Sequence, residues 1–149
     1  PVVGVSSLQS MAQLAFIKHQ QTNVLAVIDA RMGEVYNGYF VLDENNIMQE
    51  QLLADKSSEA VTKPALVNER LINTIVDPVY GVGTGWDAYP EPLSMLKVNQ
   101  GEPDVLFPSA EAMLVIGEAA LKRGEGVAAE DAQPVYVRDT VSWKKLPGR

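Results

Sequence analysis

The residues that could do chemistry are few. Asp29 closes the apolar run VLAVID, and a carboxylate at the end of a buried strand can be a reactive or phosphate-facing group, or simply the corner of a hairpin. The turn that follows, DARMGE, carries the bulky Arg31 and Met32 and has neither serine nor threonine. Side-chain bonds from Asp29 to the turn backbone and a local ion pair with Arg31 suit a corner better than a ligand site.

His19 is the sole histidine, so a helix-borne pair of imidazoles for a metal cannot form. No G-x-S-x-G elbow offers a serine for it to activate. It is expected solvated near a helix end. The stretch GVGTGW, residues 81–86, has G-x-G-x-G spacing with Trp86 where a dinucleotide loop needs its third glycine, and no helix is expected to open there. It reads as a strand end with a tight turn, whose glycines leave room for close backbone approach by the missing part of the chain or by a partner. A basic and aromatic group, Arg138, Trp143, Lys144, Lys145 and Arg149, is the kind of cluster that touches single-stranded RNA or an acidic protein surface, and equally the composition of a solvated tail.

The chain that must position these residues has 149 residues, 46% of them hydrophobic, enough for one domain with a continuous core. It has no cysteine, which excludes disulfides, thiolate zinc sites and a cysteine nucleophile, and fits a reducing compartment; cytoplasm is the expected location. A formal charge of -7 argues against wholesale coating of nucleic acid. No apolar run reaches the roughly 18 residues of a membrane span, and no leader is seen. The opening PVVGVS looks like a buried strand already under way, so a fragment lacking upstream residues is expected.

After that strand at 2–5, Ser6 or Ser7 caps a helix over 7–20 whose wide apolar face, Leu8, Met11, Ala12 and Ala15 flanked by Leu14, Phe16 and Ile17, predicts packing on more than one side. VLAVIDA, EVYNGYFVL and IMQEQLL form a three-stranded meander with the last strand at an exposed edge. Thr62 caps a helix over 62–76 with Pro64 in its first turn, Val67, Leu71 and Ile75 inside, and Asn68, Glu69, Arg70 and Asn73 in water. VYGVG is a short strand, 85–108 is mostly loop, and Ser109 caps a final helix with Ala110, Met113, Leu114, Gly117 and Leu121 as its buried stripe and Gly124 as its stop. PVYVRD, 134–139, offers a late strand whose Tyr136 packs on the core.

Three antiparallel strands followed by alternating helices and strands make an α/β layout: a mixed sheet flanked by helices, as in the ribonuclease-H-like lobe of the actin, Hsp70 and sugar-kinase superfamily. Nucleotide-binding members of that superfamily aim an aspartate on a lobe's first strand at phosphate and magnesium, across a shorter, less bulky turn than DARMGE. The alternative to a corner at Asp29 is therefore a nucleotide- or metal-dependent enzyme of the sugar-kinase or glycoprotease type.

VGVSSLQSMAQ, VLAVIDARMGEVYNGYF, VGTGW and the ending PVYVRDTVSWKKLPG together resemble the second lobe of the TsaB (YeaZ) family of bacterial tRNA threonylcarbamoyladenosine biosynthesis proteins. The resemblance implies a non-catalytic scaffold without cofactor or metal. It would pair with the transferase TsaD and the ATPase TsaE for threonylcarbamoyl transfer to adenosine 37 of tRNA, leave a homodimer open, and meet tRNA only within the assembly. It also implies that residues 1–22 link to a missing first lobe, with 23–149 as the second lobe and its tail. Arg31, Arg138, Trp143, Lys144 and Lys145 are the expected partner or tRNA contacts.

Overall fold

A computed structural model describes residues 1–54, 56–76, 78–96, 98 and 104–138. Five strands, β1 (Asn23–Asp29), β2 (Val35–Leu42), β3 (Met48–Glu50), β4 (Ala60–Thr62) and β5 (Tyr80–Val82), form one mixed sheet in the order β3-β2-β1-β5, with β4 also on β2. β1 runs antiparallel to β2, pairing Leu25 with Tyr39, and parallel to β5, pairing Leu25 with Gly81. The meander is as the sequence predicts, with β3 at one end of the sheet.

Strand alternation sorts the core into two layers. Val24, Ala26 and Phe40 face α1 (Ser7–His19) and join Leu8, Met11, Ala15 and Ala112. Leu25, Val27 and Tyr39 face the other way, toward Val67 and Leu71 of α2 (Ala65–Leu71), Trp86 of α3 (Gly85–Ala88) and Leu93 of α4 (Pro90–Leu93). α5 (Ala110–Lys122) packs against α1.

α1 starts where predicted: the Ser6 hydroxyl accepts from the N–H groups of Leu8 and Gln9. One of its two buried polar residues, Gln13, spends its amide on the edge hairpin, donating to Asn46 O at 3.0 Å and accepting from Met48 N at 2.8 Å. The helix is packed on two sides, as its wide stripe predicts, by the sheet and by α5.

Several expectations are overturned. Residues 2–5 form only an isolated bridge, Val2 to Val127, because no sheet edge is offered to them. Thr62 lies in β4, where its hydroxyl accepts from the buried Asn37 amide at 3.0 Å, so Pro64 takes the cap position of α2. That helix ends at Leu71, and turns bonded to the Leu71 carbonyl replace its predicted last turns. Arg70 turns inward, donating to Asn37 Oδ1 at 2.6 Å and to Ser58 O at 3.2 Å, because a carbonyl oxygen buried in β2 needs a donor. Burial lowers the pKa of the Arg70 guanidinium.

The predicted loop after β5 contains α3 and α4. α5 is rotated from the predicted stripe: Ala112, Ile116 and Ala120 are buried, whereas Leu114 is 74% exposed. Residues 134–138 form no strand, and Tyr136 is exposed because no sheet edge reaches it.

Candidate functional site

The site begins with the geometry that DARMGE forces on the chain. Ala30 N donates to Glu34 O at 2.9 Å and Glu34 N to Arg31 O at 3.1 Å, closing a turn in which Arg31, Met32 and Gly33 all have positive φ, 64°, 58° and 76°. Only the third is a glycine, so two side-chain-bearing residues hold a left-handed backbone. Asp29 offsets part of that cost: its Oδ1 accepts from Arg31 N at 2.9 Å, and its Oδ2 stands 3.6 Å from the Arg31 guanidinium. The carboxylate is the hairpin corner expected from the sequence.

Two residues from a distant segment complete the corner. Asp29 N donates to Thr84 Oγ1 at 3.2 Å, and the Tyr89 hydroxyl donates to Asp29 Oδ1 at 3.2 Å. The loss of water around the Tyr89 phenol, and then the negative Asp29 beside it, raise its pKa. Sequence reading missed both residues, since Thr84 and Tyr89 lie some 55–60 positions away; the one available signal was a threonine at the end of a strand that could run parallel to β1.

The glycines of GVGTGW place Thr84. A Cβ at Gly83, which has φ of 100°, would lie 2.2 Å from Val27 O, and one at Gly85 would lie 2.5 Å from Val27 Cγ1. The close approach that uses these glycines is made by the chain's own β1, and not, as expected, by a segment outside the chain or by a partner. A helix, α3, does open at this turn, contrary to expectation, because Trp86 anchors it by filling the inner layer and donating to Val82 O at 3.1 Å.

Arg138 reaches the same corner from the other side. Its guanidinium donates to Glu34 Oε2 at 2.7 Å and to Ala30 O at 3.3 Å, and lies 5.6 Å from the centre of the Tyr36 ring. Its side chain is 15% exposed against 87% for Arg31, so one arginine clamps the turn and the other projects into solvent. The structure brings Arg31 and Arg138 together at one hairpin; Trp143, Lys144, Lys145 and Arg149 lie outside the described residues. His19 is elsewhere, at the end of α1, with its Nε2 2.7 Å from Asp104 Oδ1. That bond lowers the Asp104 pKa.

Asp29, Thr84 and Tyr89 therefore gather at the carboxyl ends of two parallel strands, the usual place for a ligand in an α/β sheet. Asp29, however, already serves two hydrogen bonds and one guanidinium. Among the described residues no three His, Cys, Asp or Glu side chains group to hold a metal, and no helix is long and apolar enough to cross a membrane.

A mixed sheet with helices on both faces, a meander first and a parallel strand joined to its first member define an α/β lobe of ribonuclease-H-like type. No protein-family model matches the chain. Over its whole length it is 47% identical to the tRNA threonylcarbamoyladenosine biosynthesis protein TsaB of Escherichia coli and 35% identical to that of Haemophilus influenzae. It spans 62% and 61% of those proteins. Among solved structures, YeaZ from Pseudomonas aeruginosa superposes with a TM-score of 0.71 at 38% identity, over 91% of this chain and 60% of that one. A second Pseudomonas aeruginosa structure, described as similar to the peptidase YEAZ, gives 0.68 at 36% identity, over 93% of this chain and 59% of that one. Over these 149 residues the chain is thus similar to a segment of the TsaB (YeaZ) proteins.

Proposed function

We propose that this chain serves, as part of a TsaB-type protein, in forming threonylcarbamoyladenosine in tRNA, and that it does so as a scaffold rather than a catalyst. The observation that carries the reading is the 47% identity to a TsaB protein along all of the chain. The corner supports the scaffold half of it, since Asp29, the one residue placed for chemistry, is engaged in holding a left-handed turn. The partners in this reading are the transferase TsaD and the ATPase TsaE. The contacts toward them or toward tRNA are the exposed Arg31 together with Trp143, Lys144 and Lys145, with Arg138 fixing the segment from which that tail departs. The location is the cytoplasm, where tRNA is modified.

Reconstitution tests this directly. TsaD and TsaE with tRNA, ATP, threonine, bicarbonate and the enzyme that makes the threonylcarbamoyl donor should form the modified base only when the full-length protein is added; equal yield without it overturns the reading. Lys144→Glu with Lys145→Glu in the full-length protein should lower the yield most at low salt, the gap to the parent closing as salt screens the contacts the two lysines supply.

A second reading, an enzyme using Asp29 on a nucleotide or metal, is favoured by the position of Asp29, Thr84 and Tyr89 at the ends of parallel strands. Titration with ATP and Mg²⁺ separates the two: stoichiometric binding lost in Asp29→Ala would establish it over the scaffold.

A further inference from the structure

We propose that Met32 is a reversible oxidation site for hydroperoxides, and that its sulfoxide is read by Arg138, the arginine that ties residues 134–138 to the hairpin.

Two observations meet at this sulfur. The chain has no cysteine and five methionines, so thioethers are the only sulfur it offers an oxidant. Met11 and Met48 are fully buried and Met113 is half-buried, whereas Met32 is 64% exposed and Met95 is as open. What distinguishes Met32 is its neighbour: Arg138 Nη1 donates to Met32 Sδ at 3.7 Å.

The turn presents that sulfur. Met32 holds a φ of 58° between Arg31 and Gly33, and the backbone bonds that close the turn run from Ala30 to Glu34 and from Glu34 to Arg31 around it. A left-handed position favours glycine or asparagine, so the local backbone gives no reason for a methionine. Neither layer of the core includes its side chain. The contact that uses it is the one to Arg138.

The chemistry of that contact gives the reading. A thioether is a weak acceptor. Arg138 Nη2 is engaged by Glu34 Oε2 at 2.7 Å and Ala30 O at 3.3 Å, whereas among the described residues Nη1 has only the sulfur. In the oxidation a sulfur lone pair attacks the hydroxyl oxygen of a hydroperoxide and the O–O bond breaks. The other oxygen takes the hydroxyl proton and leaves as water or an alcohol; sulfur loses two electrons and the peroxide gains them. The product carries a polarised oxygen on a sulfur that the guanidinium already faces, and rotation about the Cγ–Sδ bond turns it toward Nη1. A charge-assisted bond then replaces a weak one. Oxidation of a core methionine disrupts packing, but this exposed side chain has no core contact to lose, so the modified turn holds Arg138 more firmly. Reversal falls to a methionine sulfoxide reductase, whose dithiol becomes a disulfide as the oxygen leaves in water.

The test exposes the 149-residue chain to hydrogen peroxide at a dose that leaves Met11 and Met48 intact, and follows each methionine by peptide mass. Met32 should be oxidised at least tenfold faster than those two. A dicarbonyl reagent that labels guanidinium groups should then modify Arg138 at least threefold more slowly than before oxidation, with Arg123 unchanged. Met32→Leu, which keeps Met95, should show no change at Arg138 on peroxide treatment. Met32→Gln, which carries a permanent oxygen acceptor, should slow Arg138 labelling without peroxide. A sulfoxide reductase should return the oxidised parent to its original rate. Arg138 labelled equally or faster after oxidation overturns the proposal, as does the same slowing in Met32→Leu or a Met32 that oxidises no faster than Met11 and Met48. None of these readouts depends on tRNA modification, so the oxidation site and the proposed function fail separately.

Discussion

The Asp29 corner and the outer face of α5 are opposites. At the corner a carboxylate, a hydroxyl, a phenol and a guanidinium all find partners within the chain, and a strained turn is held rigid by them. On α5, Ala110, Leu114 and Leu121 offer no chemistry and stay exposed among the described residues. The contrast teaches that reactive residue types do not by themselves mark the functional surface. A polar group that is satisfied locally has little left to give a ligand, whereas an apolar helix face without a cover is still owed a contact.

The corner is rigid only if the β5 to α3 turn cannot retreat from β1, and the largest effect tests that. Gly83→Ala would force a Cβ into Val27 O in a backbone conformation that L side chains rarely adopt, and should destabilise the chain by about 3 kcal/mol or more in urea unfolding. A loss below about 1 kcal/mol would show that the turn shifts freely, and the corner would no longer be the fixed half of the comparison.

Arg138 comes next. Arg138→Ala removes an ion pair to Glu34, a bond to Ala30 O and stacking on Tyr36, and should cost about 1–3 kcal/mol. Arg138→Lys should restore less than half, since an ammonium cannot reproduce a planar fork. Full rescue by lysine would mean that charge alone, not the clamp, holds the segment to the hairpin.

A third test concerns pH. Glu59 accepts a hydrogen bond from the Ser6 hydroxyl, and burial, with the nearby Glu50 charge, holds its carboxyl above the ordinary range. A carboxyl raised on folding favours the protonated folded state, so its contribution is complete below the unfolded pKa and is lost as pH rises through the folded one. Asp104 is lowered by its bond to His19 and acts in the opposite sense, its contribution present above the unfolded pKa and lost as pH falls through the folded one. Glu59→Gln should therefore raise stability at neutral pH relative to the parent and flatten the decline above the carboxylate range, measured as urea midpoints against pH. An unchanged profile would show that Ser6 alone sets the Glu59 environment.

The smallest effect is expected on α5. Leu114→Ser in the 149-residue chain should leave the unfolding free energy within about 0.5 kcal/mol, because that side chain makes no core contact. A larger loss would mean that the outer face already carries packing, and the contrast with the corner would narrow.

The sequence by itself determined the meander, the extent of α1 and its Ser6 cap, the start and stop of α5, and the role of Asp29 at a corner. These rest on periodicity and on bonds within a few residues, which a one-dimensional pattern contains. Only the tertiary structure decided which of two apolar faces α5 buries, that Thr62 serves β4 rather than a helix cap, that Arg70 turns inward to Asn37, and that Thr84, Tyr89 and Arg138 converge on the Asp29 hairpin. Each of those depends on a partner 25 to 108 positions away. Helical spacing reports that a stripe is apolar but not what it faces. Chain closure over such distances is settled by packing of the whole sheet, and no local pattern records it.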